Sequence, residues 1–340
     1  MEDGKKMACV TGGNGYIAST LIKQLLVKGY AVNATVRDPD NSVQISHLKE
    51  MQGLGDLKIF RADLTEEGSF DEAVSGCEYV FLVAAPVNLN SQNPEEELIK
   101  PAIEGALNVM KSCVKAKSVK RIVLTSSAAA VSTKHLEGTG HVLDEESWSD
   151  VEYLRAEKPP TWGYAVSRVL VEKEACKFAQ ENNISLATVT PTLVVGPSLI
   201  PKENMSLGMS LALLTGNSDF FNFLGIMQTV SGSISIVHVE DVCRAHIFVA
   251  ESAPSGRYIC CSINTNLFDL ANFLAERYPE YQVDTNFSSF REKNKSSLSS
   301  QKLVKAGFQY KYKRIEQIYD DVIEYAKKTG ILASMKLPSK

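Results

Sequence analysis

The chain has 340 residues, 44% of them hydrophobic and 22% charged, with a formal net charge of −4. At ~150 residues per domain this allows roughly two domains, or one large α/β body with an appended region. Ordinary apolar content argues against disorder, and 36 Lys+Arg against 40 Asp+Glu argue against nucleic acid as a partner.

In chain order, Met7–Thr11 is a continuous apolar run and predicts a first strand. Tyr16–Lys28 carries Ile17, Leu21, Ile22, Leu25 and Leu26 at helical spacing, with Gly29 as its stop. Ala31–Val36, Leu57–Phe60 and Tyr79–Val83 predict three more strands. Ile99–Ala116 is a long amphipathic helix, Arg121–Thr125 a fifth strand, Val166–Asn182 a helix and Ser185–Thr190 a sixth strand. Strands alternating with helices predict a parallel, doubly wound sheet, because parallel crossovers are right-handed.

After Pro191 the rhythm breaks. Residues 197–235 read as irregular, with one helix at Ser206–Leu214. Val239–Glu251 and Leu267–Tyr278 predict helices, Arg257–Cys261 a strand, and Arg314–Lys328 a closing amphipathic helix. Ser288–Ser300 reads as a polar linker. Seven cysteines with no C-x-x-C pair, and five histidines without ligand spacing, predict neither a disulfide framework nor a metal site. No signal peptide or membrane-length apolar run is visible, so a cytoplasmic protein without a membrane span is expected.

The strongest local signal is Thr11-Gly12-Gly13-Asn14-Gly15-Tyr16-Ile17-Ala18, between the first strand and the first helix. Gly12 permits the tight turn, Gly15 lets the backbone approach a pyrophosphate, and Ala18 allows close helix–sheet packing. The helix N-terminus supplies free N–H groups for the phosphates. This predicts a dinucleotide-binding, Rossmann-type domain over residues 1–190. Residues 191–340 then form mainly a substrate-binding region, with some elements returning to the sheet. An NAD site wants an acid at the end of the second strand. Arg37 stands there instead, followed by Asp38, and a guanidinium suits the 2′-phosphate of NADP(H). Asp63 and Leu64 follow the third strand, where the adenine edge would lie.

Ser126-Ser127 ends the fifth strand at the edge where open α/β sheets bind ligands. Tyr164 and Arg168 share one helix face by their i,i+4 spacing. A phenol near a nicotinamide can protonate a carbonyl oxygen as hydride reaches carbon, a Ser hydroxyl can hold that oxygen, and a cation beside the phenol favours its ionised form.

With these residues in place the chain resembles the extended short-chain dehydrogenase/reductases, which pair a Ser with Tyr-x-x-x-Lys. The resemblance spans nearly the whole chain and narrows to the plant dihydroflavonol reductase-like branch. Its carriers include Val32-Asn33-Ala34-Thr35-Val36-Arg37-Asp38-Pro39, Lys158-Pro159-Pro160-Thr161-Trp162-Gly163-Tyr164 and His238-Val239-Glu240-Asp241-Val242. Ala18, the alanines after Ser127, and Met227-Gln228 with Ser231-Gly232-Ser233 resemble the anthocyanidin reductase group. That group reduces anthocyanidins to flavan-3-ols with NADPH.

The resemblance implies catalytic roles for Ser127, Tyr164 and Arg168. It implies cofactor contacts at Gly12, Gly15, Tyr16, Ile17, Ala18, Arg37, Asp63, Leu64, Val83, Ala84, Ala85, Tyr164, Arg168 and Pro191. Substrate contacts fall on Pro86, Ser127, Ser132, Tyr164 and Met227. The expected partner is a small flavonoid, and the expected assembly a monomer or weak homodimer.

The sequence departs from the family pattern at three places. Arg168 replaces the Lys; it keeps the charge but cannot release a proton. Phe81-Leu82-Val83-Ala84-Ala85-Pro86 lacks the more usual His and Thr, at positions 82 and 85. Ser132 stands where dihydroflavonol reductases place an Asn that reads B-ring hydroxyls. A flavylium substrate is already cationic, so its reduction leans less on a proton donor than a ketone's does. The alternatives are reduction of another carbonyl (a dihydroflavonol, isoflavanone or aromatic aldehyde), or weakly catalytic NADP(H) binding. Trp148 and Trp162 are candidates for walls of the substrate site, and Met205, Met209 and Met227 for an adaptable lining. His238 and His246 read as structural.

Overall fold

The computed structural model describes residues 5–201, 204–287 and 296–332. Seven strands form one parallel sheet in the order β10-β7-β5-β4-β1-β2-β3. These are β1 Met7–Val10, β2 Ala31–Val36, β3 Leu57–Arg61, β4 Tyr79–Leu82, β5 Arg121–Thr125, β7 Leu186–Pro191 and β10 Gly256–Cys260. The order reverses between β1 and β4, which creates the crevice where such sheets bind ligands. The predicted strands all form, with ends shifted by a residue or two.

On one face lie α1 (Tyr16–Val27) and α9 (Val239–Glu251), packed through Leu21, Leu25, Val242 and Val249. On the other lie α3 (Asp71–Val74), α4 (Lys100–Ala116) and α6 (Trp162–Glu181), packed through Val109, Met110, Val171 and Ala175. Helix α6 starts four residues earlier than the apolar period predicts. Pro159 and Pro160 stop the chain before it, and the Trp162 N–H bonds the Pro159 C=O at 3.0 Å. Two short helices, α2 (Ser46–Met51) and α5 (Val151–Glu157), lie in stretches without a readable period.

A second core lies wholly after residue 191. It joins β8 (Leu193–Val195) and β9 (Ile234–His238) with α7 (Met205–Thr215), α8 (Ser218–Ser231), α10 (Leu267–Arg277) and α12 (Ile315–Lys328). Within 197–235 the expected helix at Ser206–Leu214 forms as α7, and α8 adds a second where the sequence reads as irregular. α7 is apolar nearly all round because it is buried nearly all round, which erases the amphipathic signature. Strand β11 (Ile263–Thr265) pairs antiparallel with β9. A two-stranded parallel ribbon pairs β6 (His141–Leu143) with β12 (Ser296–Leu298), inside the stretch expected to be a linker. The remainder of that expectation, 288–295, lies outside the described residues. The short α11 (Gln301–Lys305) follows.

His246 is fully buried in α9. Its Nδ1 meets the Val242 carbonyl at 2.7 Å, which only accepts, so Nδ1 carries the proton. Nε2 therefore accepts from the Thr125 hydroxyl at 2.7 Å. Burial pulls its pKa down to about 4, against the opposing Val242 bond. The unfolded chain gains a proton as pH falls through ~6.5, while the native state refuses it until about 4. Stability from this site is complete above the unfolded value and declines below it. Between pH 7 and pH 5 the loss is expected to be about 2 kcal/mol. Urea unfolding at the two pH values checks this; a loss as large in a His246→Asn variant would point to another group.

Candidate active site

A cavity of about 1050 Å³ opens at the crevice between the C-terminal ends of β1 and β4. That is the upper end for small-ligand sites and leaves room for a long cofactor beside a substrate. The residues expected to serve catalysis, cofactor and substrate line it: Gly12, Gly15, Tyr16, Ile17, Ala18, Arg37, Asp63, Leu64, Val83, Ala84, Ala85, Pro86, Ser127, Ser132, Tyr164, Arg168, Pro191 and Met227.

The glycine turn is built from both sides. Gly12 has φ +68°, and a Cβ there would sit 3.0 Å from the Ala84 Cβ. Thr11 Oγ1 accepts from the Val83 and Ala84 amides, each at 3.0 Å, and so fastens β4's end to the turn. The first helical bond of α1 runs from Ser19 N–H to Gly15 C=O at 2.9 Å. The amides of Tyr16, Ile17 and Ala18 ahead of it have no intrahelical acceptor. The Ser19 hydroxyl donates to Gly15 C=O at 2.6 Å and lies 3.1 Å from His47 Nε2. Burial lowers the His47 pKa, so a neutral imidazole props the turn from below. The Tyr16 phenol is committed elsewhere, to the Gly196 C=O at 2.8 Å, so only its backbone faces a ligand. Gly12→Ala is expected to weaken dinucleotide binding about tenfold: the free turn would leave the left-handed conformation to relieve about 1–2 kcal/mol of strain, and binding would have to restore it. Calorimetric titration with NADPH checks it.

Arg37 is exposed at the end of β2 and lines the cavity. Asp38, the rival residue for an NAD-type acid, does not line it; its Oδ1 accepts from the Asp40 amide at 3.0 Å. Asp63 is held by the Thr65 amide at 2.9 Å and hydroxyl at 2.8 Å. These bonds, with smaller help from the Arg37 charge, keep its carboxyl below the usual range. Free amides at a helix N-terminus, a gap that a Cβ would close, and a guanidinium at the rim fit a dinucleotide with an extra phosphate.

Ser127 leaves β5 in extended conformation and caps a single turn over Ala128–Ala130, its Oγ accepting from the Ala129 amide at 3.2 Å. Its hydroxyl proton stays free to donate. Tyr164 lies in the first turn of α6, behind Thr161 at φ +64°. A β-branched residue seldom adopts that conformation, and here it turns the chain sharply out of the proline pair. The Arg168 guanidinium lies over the Tyr164 ring, 4.8 Å from its centroid. Its Nη2 donates to the Pro86 C=O at 3.2 Å, and its Nε is buried without a partner. The replacement of Lys by Arg therefore keeps a cation stacked on the phenol.

The outer wall is apolar: Met205 and Met209 from α7, and Phe223, Ile226, Met227 and Val230 from α8. Ser132 lines the cavity, but its hydroxyl donates to its own Ala128 C=O at 3.0 Å. Neither Trp148 nor Trp162 lines it. Trp148 is covered by Arg257, whose guanidinium is 3.6 Å from its ring centroid, and Lys158 lies over Trp162 at 5.9 Å.

Sequence reasoning missed Glu172 and Arg257. Glu172 is completely buried, accepts from Arg257 Nε at 2.6 Å and from the Ser126 hydroxyl, and feels the Arg168 charge. Burial raises its carboxyl above the usual range, opposed chiefly by Arg257. The spacing 164, 168, 172 was the available signal for Glu172; nothing local marked Arg257.

Residues 8–261 match the model of the NAD dependent epimerase/dehydratase family. The chain is 59% identical over 330 residues to an anthocyanidin reductase ((2S)-flavan-3-ol-forming) of Vitis vinifera, covering 97% of each. It is 41% identical over 334 residues to dihydroflavonol 4-reductase of Gerbera hybrida, covering 97% of this chain and 88% of that one. Vestitone reductase from alfalfa superposes with a TM-score of 0.81 at 37% identity, covering 96% and 99% of the two chains. A family match across most of the chain, and relatives aligned nearly end to end, converge: the chain belongs to the NAD dependent epimerase/dehydratase family.

Proposed function

We propose that the chain is an NADPH-dependent flavonoid reductase that converts anthocyanidins to flavan-3-ols. The observation that carries this is the high identity, over nearly the whole chain, to anthocyanidin reductases, against clearly lower identity to a dihydroflavonol reductase. The Ser132 hydroxyl, spent on its own backbone, is a further reason to set dihydroflavonols second.

NADPH, when bound, supplies hydride. The glycine turn and the α1 amides would hold its pyrophosphate, Arg37 its 2′-phosphate, and Asp63 and Leu64 its adenine edge. Val83, Ala84, Ala85 and Pro191 would wall the nicotinamide side, and Pro86 and the methionine-rich helices would face the flavonoid. Ser127 orients a substrate oxygen and Tyr164 Oη delivers the proton. Arg168 stacks on that ring and holds ribose.

Charge bookkeeping fixes how often Tyr164 acts. A flavylium cation that gains two hydrides carries one negative charge, so one proton completes the flavan-3-ol. The first hydride yields a neutral molecule and needs no acid; the one proton that Tyr164 gives is regained from solvent, since the Arg168 guanidinium does not release one. Residues 1–190 serve the cofactor and 191–340 mainly the substrate. Among the described residues no helix is long and apolar enough to cross a membrane. The large exposed apolar side chains, such as Val27, Val43, Val87 and Val304, lie on separate segments, which favours a monomer or weak homodimer.

The test is NADPH oxidation against a panel of cyanidin, a dihydroflavonol and an aromatic aldehyde. Turnover highest with cyanidin supports the proposal; turnover confined to another member overturns the substrate.

A further inference from the structure

Ser127 and Tyr164 reach the cavity from two different elements, the end of β5 and the first turn of α6. Their separation depends on what fixes the helix against the strand end. Apolar packing holds the two at a distance but tolerates sliding, whereas charge-assisted hydrogen bonds fix direction.

The side chain that spans this gap is Glu172. It lies two turns along α6 from Tyr164 and one from Arg168, so the three share a face. One carboxylate oxygen accepts from the hydroxyl of Ser126, the residue directly before Ser127. The other accepts from Arg257 Nε at 2.6 Å, reaching from β10. Arg257 Nη1 donates onward to the carbonyls of Glu145 at 2.7 Å and Ser147 at 3.0 Å. Two residues further, the Ser149 hydroxyl donates to Ala129 C=O at 2.7 Å and accepts from the Thr133 amide at 2.8 Å. The path closes on itself, and Ser127 lies between its two anchors, Ser126 behind and Ala129 ahead.

Glu172 does not line the cavity and cannot meet substrate. A buried ion pair seldom adds net stability over an apolar pair of the same volume, so its use here is directional. We propose that Glu172, through the Ser126 hydroxyl, is the positioning residue that sets Ser127 against Tyr164 for proton transfer. The proposal rests on Ser127 and Tyr164 being the proton-transfer pair.

The test is Ser126→Ala, which releases the tether and leaves the Glu172–Arg257 pair whole, measured beside Ser126→Thr and Ser127→Ala. A misplacement of ~1 Å can cost up to ~100-fold, so kcat of Ser126→Ala should fall about tenfold. The NADPH Kd and the melting temperature should hold, and Ser126→Thr should recover most of the rate. The proposal is overturned if Ser126→Ala keeps full kcat. It is equally overturned if kcat, NADPH affinity and melting temperature fall together, or if Thr restores nothing. Full activity in Ser127→Ala would sink the underlying pair; an inactive Ser127→Ala beside a fully active Ser126→Ala sinks the tether alone.

Discussion

Replacing Tyr164 with Phe is expected to lower kcat for flavan-3-ol formation by about 10²–10⁴-fold, the usual worth of a positioned acid. The substitution removes one oxygen and leaves the ring on which Arg168 stacks at 4.8 Å. Helix α6 and the Arg168 bond to Pro86 are untouched, so NADPH should bind nearly as before. Because the first hydride needs no proton and the product needs one, a singly reduced flavonoid should build up in the variant. Steady-state rates, an NADPH titration and mass analysis check the three parts. A kcat close to that of the natural protein would show that the proton comes from solvent or another group.

Arg37→Ala should raise the NADPH Kd about 100-fold and leave that for NADH little changed. A charge-assisted hydrogen bond is worth about 1.5–3 kcal/mol, and a guanidinium offers two to a phosphate. Arg61, the other cation beside Asp63, is paired with Glu66 and does not line the cavity, and Asp38 bonds its own loop. Equal weakening for both cofactors would mean that Arg37 shapes the loop and does not read the phosphate.

The dinucleotide half of the fold was legible because its grammar is local. A strand, a glycine turn and an amphipathic helix fall within residues 7–27, and the observed β1 and α1 follow them almost residue for residue. The substrate half was legible only in part: the helices expected at Ser206–Leu214, Leu267–Tyr278 and Arg314–Lys328 form as α7, α10 and α12, but α8 was not read. In α7 every residue from Leu207 to Leu214 is buried, so the helix shows no polar face. Gly208 hides its reason too: a Cβ there would sit 2.3 Å from the Phe220 ring, a packing between helices that composition presents as irregularity. Within the site, Ser127, Tyr164 and Arg168 were found by spacing and resemblance. The direction of the Ser132 hydroxyl was invisible, because a rotamer decides it. The Glu172–Arg257 pair joins residues 85 apart, which only a sheet that brings β10 beside β7 can reveal. Trp148 looked like a ligand wall, and instead its face is occupied by that same Arg257.

This site, with Arg168 in place of the family Lys, is expected to complete the double reduction of an anthocyanidin. The most direct measurement is the yield of flavan-3-ol from cyanidin per NADPH oxidised, by the purified natural protein beside Arg168→Lys, with products identified by mass. The expected result is two NADPH consumed per flavan-3-ol, at comparable rates in both proteins, since either cation serves Tyr164. Turnover in the Lys variant alone, or NADPH binding with no flavan-3-ol from either, would contradict it.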